Sequence, residues 1–252
     1  MIQYLAMKVV VDDLMTEYLR TGKNGAPVIL MLPGWKAPVA DFVKSMKNQE
    51  SDFDIVALEF PGFGVTETPL RAWTVQNYTD FVAKFIEKVG LKKIYAIVGH
   101  SFGGRIMLNG CANGQLNAEK LIFIDSAGVK PKISVRGKIL KIIATLARIL
   151  PGKLRTKVGR QFGSDDYNAT SGIMRETFKR IVNLDLTPQM RQIKQPSILI
   201  WGADDTETPL SDARIFAKEI SQAKLEIIEN AGHYVFLDQP EKVSKLIGKF
   251  LK

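Results

Sequence analysis

Continuous apolar runs alternate with helical-period segments along most of the chain, and the alternation breaks once. "MKVVVDD" and "LMTEYLRTG" read as the two short strands of a hairpin. "PVILMLPG" and "FDIVALEFPGFG" are apolar runs closed by Pro-Gly turns, the pattern of strands buried on both faces. In "VQNYTDFVAKFIEKVG", Tyr78, Phe81, Val82, Phe85, Ile86 and Val89 share one helical face, and Gly90 stops the helix. "KKIYAIVG" reads as a strand, "GGRIMLNGCANG" as a helix and "KLIFIDSAG" as a strand. Beyond the break come "PSILIWGADD" (strand), "LSDARIFAKEI" (helix), "KLEIIENAGH" (strand) and a C-terminal helix ending in "KLIGKFLK". Strands separated by helices predict an α/β fold, with a mostly parallel central sheet and helices on both faces.

The break spans 129–193, where no apolar strand run occurs. "ISVRGKILKIIATLARIL" reads as a basic amphipathic helix stopped by Pro-Gly, with Ile139, Leu140, Ile143 and Leu146 on one face. A core formed by 1–128 and 194–252, interrupted by a mainly helical insert at 129–193, is therefore expected. Charge sets the insert apart as well. Of the net +9, residues 130–194 hold 15 Lys/Arg against 4 Asp/Glu, whereas the rest holds 20 against 22.

Composition narrows the function classes. A chain of 252 residues that is 46% hydrophobic and 24% charged is ordinary for one large globular domain. A single cysteine, Cys111, excludes an internal disulfide and fits a reducing compartment. His100, Cys111 and His233 lack metal-ligand spacing, so neither a metal nor another cofactor is expected. The N-terminus has no basic n-region followed by a long apolar core, and no apolar run reaches the roughly 20 residues of a membrane span. A cytoplasmic location is the resulting expectation.

The chemistry concentrates at "VGHSFGG", where a strand enters a helix through a very tight turn. Gly99 and Gly103 flank Ser101 two residues away on each side, so the chain can bend sharply and expose the hydroxyl. Ser101 is the candidate nucleophile. His100 is a poor base, because adjacent side chains at a strand end point to opposite sides. His233, in a glycine-containing loop after "LEIIENAG", is the candidate base. An acid must orient it, and Asp204, Asp205 and Asp125 all lie at strand ends between the serine and the histidine. Residue physics leaves the three open. An oxyanion needs two backbone N–H groups. Phe102, after the nucleophile, offers one. In "LPGWKAP", Pro33 has no N–H, which leaves Trp35 as the other donor.

Taken together, "LPGW", "EFPGFGVTETP", "GHSFGG", "WGADDTETP" and "NAGHYVFLDQPEKV" resemble the landmarks of the α/β-hydrolase superfamily, in its capped esterase-like branch, over nearly the whole chain. The resemblance implies a cap between the sixth and seventh strands, formed by the basic insert. It favours Asp205 as the acid, since Trp201, Gly202, Asp205 and Pro209 fall at the family's spacing. Asp125 corresponds to a minor variant with the acid one strand earlier. Pro33-Gly34 stands where the family often has His-Gly, which puts the usual bracing of the oxyanion loop in question. Ser101 argues against relatives that use aspartate as nucleophile.

The implied activity is hydrolysis of carboxylic esters of small or medium, largely apolar substrates through an acyl-enzyme. Carbon–carbon bond hydrolysis is an alternative, although such enzymes usually carry tryptophan where Tyr234 follows His233. A ligand-binding receptor with little turnover is another. Phe63, Trp73, Ile143 and Tyr234 are candidate pocket residues. The insert's charge reads as the solvated top of a cap with an apolar underside. Attraction of anionic substrates and weak contact with a membrane surface are further readings. Nucleic acid is not expected as a partner, because no aromatics interleave with the charges. Oligomeric state is not legible.

Overall fold

The computed structural model of the protein describes residues 4–130 and 171–252. Eight strands form one sheet: β1 (Leu5–Val11), β2 (Leu14–Gly22), β3 (Val28–Leu32), β4 (Asp54–Leu58), β5 (Ile94–His100), β6 (Lys120–Ile124), β7 (Ser197–Gly202) and β8 (Ala223–Ile228). Their order is β1-β2-β4-β3-β5-β6-β7-β8. The β1–β2 and β2–β4 pairs are antiparallel, and every pair from β4 through β8 is parallel. The expected hairpin is present. Asp12 and Asp13 turn it with φ of 49° and 60°, the left-handed pair that matches the twist of the flanking strands.

The continuous apolar runs have a simple geometric cause. Side chains alternate between sheet faces, so each run feeds two cores. Leu30, Leu32, Val56, Leu58, Ile97, Leu121 and Phe123 pack on one face. Ile29, Met31, Ile55, Ala57, Ala96, Val98, Ile122 and Ile124 pack on the other. On the first face lie α2 (Val75–Val89), α3 (Phe102–Ala112) and α6 (Leu210–Glu219), through Phe81, Phe85, Ile106 and Phe216. On the second lie α1 (Val39–Lys44), α7 (Val235–Asp238) and α8 (Pro240–Leu251), through Phe42, Phe236 and Ile247. The helix α2 is bounded as its sequence suggests. Thr74 and Asn77 form a reciprocal capping box, and Gly90 closes the other end at φ 75°.

Two short helices, α1 and α7, have no counterpart in the sequence reading. Residues 171–193 carry α4 (Gly172–Val182) and α5 (Thr187–Met190). This part is tied to the core. The Trp73 N–H donates to Thr177 Oγ1 at 3.0 Å, Arg180 donates to the Ala72 carbonyl at 2.9 Å, and the Leu186 N–H donates to the Gly128 carbonyl at 2.8 Å. The basic helix read at 133–150, with Ile139, Leu140, Ile143 and Leu146, lies outside the described residues. Among the described residues no helix is long and apolar enough to cross a membrane.

Candidate active site

The turn from β5 into α3 is as tight as the glycines imply. Ser101 sits between the two elements at φ 46°, ψ −111°, a strained conformation for a residue with a Cβ. Its backbone is held on both sides: its N–H donates to the Ile124 carbonyl at 3.0 Å, and its carbonyl accepts from Ala127 at 3.0 Å and Arg105 at 3.2 Å. The glycines let backbone touch backbone. A Cβ on Gly99 would sit 2.6 Å from the Gly104 Cα, and one on Gly103 would overlap the Leu32 carbonyl oxygen. Gly103→Ala is therefore expected to destabilise the fold by about 2–4 kcal/mol, because neither the end of β3 nor the start of α3 can yield cheaply. Urea unfolding checks this, and a change below about 0.5 kcal/mol would contradict the packing.

The Ser101 hydroxyl makes no helix-capping bond. It lies 2.9 Å from His233 Nε2, across 132 positions of sequence. His233 follows β8, and its Nδ1 lies 2.9 Å from Asp205 Oδ2. Asp205 follows β7 in a turn that orients it. Its Oδ1 accepts from the Glu207 N–H at 2.8 Å and the Thr208 N–H at 3.0 Å. The Thr208 hydroxyl is 2.6 Å from Asp205 Oδ2 and 3.0 Å from the Asp125 carbonyl, and its one proton serves one of them at a time. Burial opposes ionisation of Asp205. The His233 hydrogen bond and charge outweigh it, with help from Thr208, and hold the carboxyl below its usual range. Burial likewise opposes charging of His233. The Asp205 hydrogen bond and charge, then the Glu207 and Asp125 carboxylates, reverse this and raise its pKa above 6.5.

The other two candidate acids are placed differently. Asp204 is exposed. Asp125 is fully buried, at φ 41°, and its two oxygens accept from the Gly202 N–H at 2.8 Å and the Val235 N–H at 3.2 Å. It ties the end of β7 to the segment just after His233. Burial drives its pKa well above the usual carboxylate range, against the pull of the Gly202 and Val235 bonds.

His100 is not near the serine hydroxyl in any bonding sense. Its Nε2 donates to the His233 carbonyl at 2.9 Å, and its Nδ1 is enclosed without a partner among the described residues. Burial, and then the neighbouring His233, lower its pKa to about 3, so the ring is neutral. A Cβ on Gly34 would come within 2.6 Å of His100 Nδ1. The loop with Pro33-Gly34 thus packs directly on His100, which occupies the space behind it.

Ser101 and His233 open onto a cavity of about 610 Å³. Its apolar wall includes Trp35, Phe102, Val129, Phe178 and Ile181, and its polar lining includes Arg105, Glu207 and Asp212. The backbone N–H groups of Trp35 and of Phe102, the first residue of α3, have no hydrogen-bond partner among the described residues. Three pocket expectations need correction, because none of Phe63, Trp73 and Tyr234 is among the residues lining this cavity. Phe63 packs behind it, edge-on to Trp35 at 4.8 Å. Trp73 is buried against Tyr78 at 4.8 Å. Tyr234 turns to the opposite face of the sheet, 5.2 Å from the His100 ring. Ile143 lies outside the described residues. The sequence reading missed Glu207, whose Oε2 lies 3.5 Å from His233 Nε2, and Arg105. An arginine within the otherwise apolar "GGRIML" was the available signal for the latter.

Comparison with known proteins gives a consistent picture. Residues 29–246 match the family model described as "Alpha/beta hydrolase family". The mouse (Mus musculus) protein named monoacylglycerol lipase ABHD6 is 29% identical over 270 residues, covering 95% of this chain and 80% of that protein. A hydrolase of Bacillus subtilis, YugF, is 23% identical and covers 96% of each chain. Among solved structures, a bacterial membrane phospholipase A superposes with a TM-score of 0.79 at 24% identity, over 98% of this chain and 86% of its own. The CarC serine hydrolase of carbazole degradation does so with a TM-score of 0.75 at 22% identity, over 99% of each chain.

Proposed function

Because this chain belongs to the α/β-hydrolase family, we propose that it is a serine hydrolase that cleaves carboxylic esters of small or medium, largely apolar substrates through an acyl-enzyme. The observation that carries the reading is the unbroken relay from Ser101 Oγ through both nitrogens of His233 to Asp205 Oδ2, each link 2.9 Å, at the mouth of an apolar-walled cavity. The ester-cleaving relatives named above support the reaction class.

The steps follow from the atoms. Asp205 accepts a hydrogen bond from His233 Nδ1–H, which keeps that proton on Nδ1 and leaves Nε2 bare and facing the serine hydroxyl. Ser101 Oγ attacks the ester carbonyl while its proton passes to Nε2. The carbonyl oxygen gains negative charge, and the backbone N–H groups of Trp35 and Phe102 stabilise it. Collapse breaks the carbon–oxygen bond, and Nε2–H protonates the departing alcohol. Water then attacks the acyl-serine, its proton going to Nε2, and the acid and free serine are released. Rapid mixing with a nitrophenyl ester should give a burst of nitrophenol close to one equivalent per active site. Linear release without turnover-dependent acyl-serine would count against an acyl-enzyme.

The pH dependence has a definite sign. The neutral imidazole is the base, so activity rises as pH rises through the His233 pKa. That pKa is raised, so the acid limb of kcat/KM should centre above 6.5. Glu207→Gln removes a carboxylate that favours the imidazolium and should move the limb to lower pH. A limb at or below 6.5, or one indifferent to Glu207, would contradict this electrostatic account.

A further inference from the structure

The mechanism leaves one buried charge unused. Arg105 is 3% exposed, in the first turn of α3, which follows Ser101, and it lines the same cavity. It lies four positions after Ser101, and its backbone N–H donates to the Ser101 carbonyl at 3.2 Å, so the two backbones are about one helical turn, roughly 5–6 Å, apart. Arginine has five N–H donors and no acceptor. Among the described residues it makes one side-chain hydrogen bond, from one terminal nitrogen to the Leu184 carbonyl at 2.5 Å. No carboxylate oxygen among them comes within ion-pair distance. Asp185 and Asp212 act on it from farther off, and each is engaged elsewhere: Asp185 accepts from Thr187, and Asp212 accepts from Ser211 at 3.2 Å. The other Arg105 side-chain nitrogens make no hydrogen bond among the described residues, and Arg105 lines the cavity.

A guanidinium taken out of water without a close counter-charge is costly, and burial lowers its pKa to about 10. A ligand that supplied acceptors would offset that cost. The best geometric and electrostatic match is a planar carboxylate, which can take two parallel N–H bonds from the fork. The Leu184 bond fixes the plane of the guanidinium in advance, which reduces the ordering cost of binding. Glu207, which lines the same cavity, stands 3.5 Å from His233 Nε2, so its charge disfavours an anionic group beside the serine, and Arg105 is the cation among the lining residues.

From this arrangement we propose that Arg105 forms a carboxylate subsite, and that the protein prefers esters carrying a carboxylate several bonds from the scissile carbonyl. The proposal rests on the serine-hydrolase reading and specifies its substrate class. The half-esters of short dicarboxylic acids are the simplest members of the class.

The test compares nitrophenyl hemi-esters of glutaric and adipic acid with nitrophenyl pentanoate and hexanoate. The wild type should favour the carboxylated ester in kcat/KM by about tenfold or more, mainly through KM. In Arg105→Gln that ratio should fall to about one or below. A wild type that favours the uncharged esters would overturn the proposal and leave Arg105 as an anchor for Leu184. Arg105→Gln could unfold, so a second measurement uses the protein without that change. Ser101→Ala should be stabilised thermally by monomethyl glutarate or monomethyl adipate and not by the dimethyl esters. Equal shifts, or none from either, would also overturn it. This binding arm needs no turnover, so failure of the subsite is distinguishable from failure of the ester-hydrolase reading.

Discussion

Ser101→Ala is expected to lower kcat/KM for a nitrophenyl ester by about ten-thousandfold or more, with the melting temperature within about 2 °C of wild type. Both halves follow from the same geometry. The hydroxyl bonds to His233 Nε2 and takes no part in capping α3. The backbone of residue 101 is held by Ile124, Arg105 and Ala127 through main-chain groups that alanine keeps. Alanine also inherits the strain of φ 46° without adding to it. The measurement is steady-state kinetics beside near-ultraviolet circular dichroism. Activity above about one per cent of wild type would remove Ser101 from the reaction. Loss of activity together with loss of the tertiary signal would show only that the variant does not fold.

Asp205→Asn and Asp125→Asn should separate two carboxylates that residue physics alone leaves open and that only the family resemblance ranks in favour of Asp205. At Asp205, an asparagine can still accept from Glu207 and Thr208 through its oxygen. Its amide then faces Nδ1 with a donor, so the imidazole is held in the wrong tautomer. Activity should fall by about a thousandfold to ten-thousandfold with little loss of stability. The raised His233 pKa should fall as well, since Asp205 is the main group favouring the imidazolium. At Asp125, both oxygens accept backbone N–H groups, from Gly202 and Val235. An asparagine satisfies one and turns a donor on the other, which should cost about 1–3 kcal/mol of folding stability. Kinetics and denaturant unfolding on both variants check the contrast. Equal activity losses at unchanged stability would mean that the two acids share the role.

The linkage signs differ between the partners. The lowered Asp205 pKa contributes stability above the unfolded carboxylate range, and this is lost as pH falls through the folded value. The raised His233 pKa contributes stability below 6.5, and this is lost as pH rises through the folded value. Folding should gain from the pair in the acidic window between the two, whereas catalysis needs the pH above it.

The legible parts of this molecule are those where local chemistry is constrained. The strands could be read because a two-sided sheet demands unbroken apolar runs such as "VILML" and "DIVAL". The serine turn could be read because Gly99 and Gly103 have no alternative at those backbone contacts. Phe63, Trp73 and Tyr234 misled because an aromatic near a landmark looks alike whether it lines a cavity or fills the core behind one. The direction of a side chain beyond a strand end is set by tertiary packing. Short helices such as α1 carry too few residues for a period to register. Glu207 and Arg105 were hidden for a different reason. Their significance lies in distances to His233 and to the cavity, which only the fold creates.

The most direct test of the central claim is the intact mass of the protein after brief exposure to a small fluorophosphonate, with Ser101→Ala and His233→Ala as controls. The account predicts one adduct per chain on the wild type and none on either variant. An unlabelled wild type, or an adduct that persists in Ser101→Ala, would contradict it.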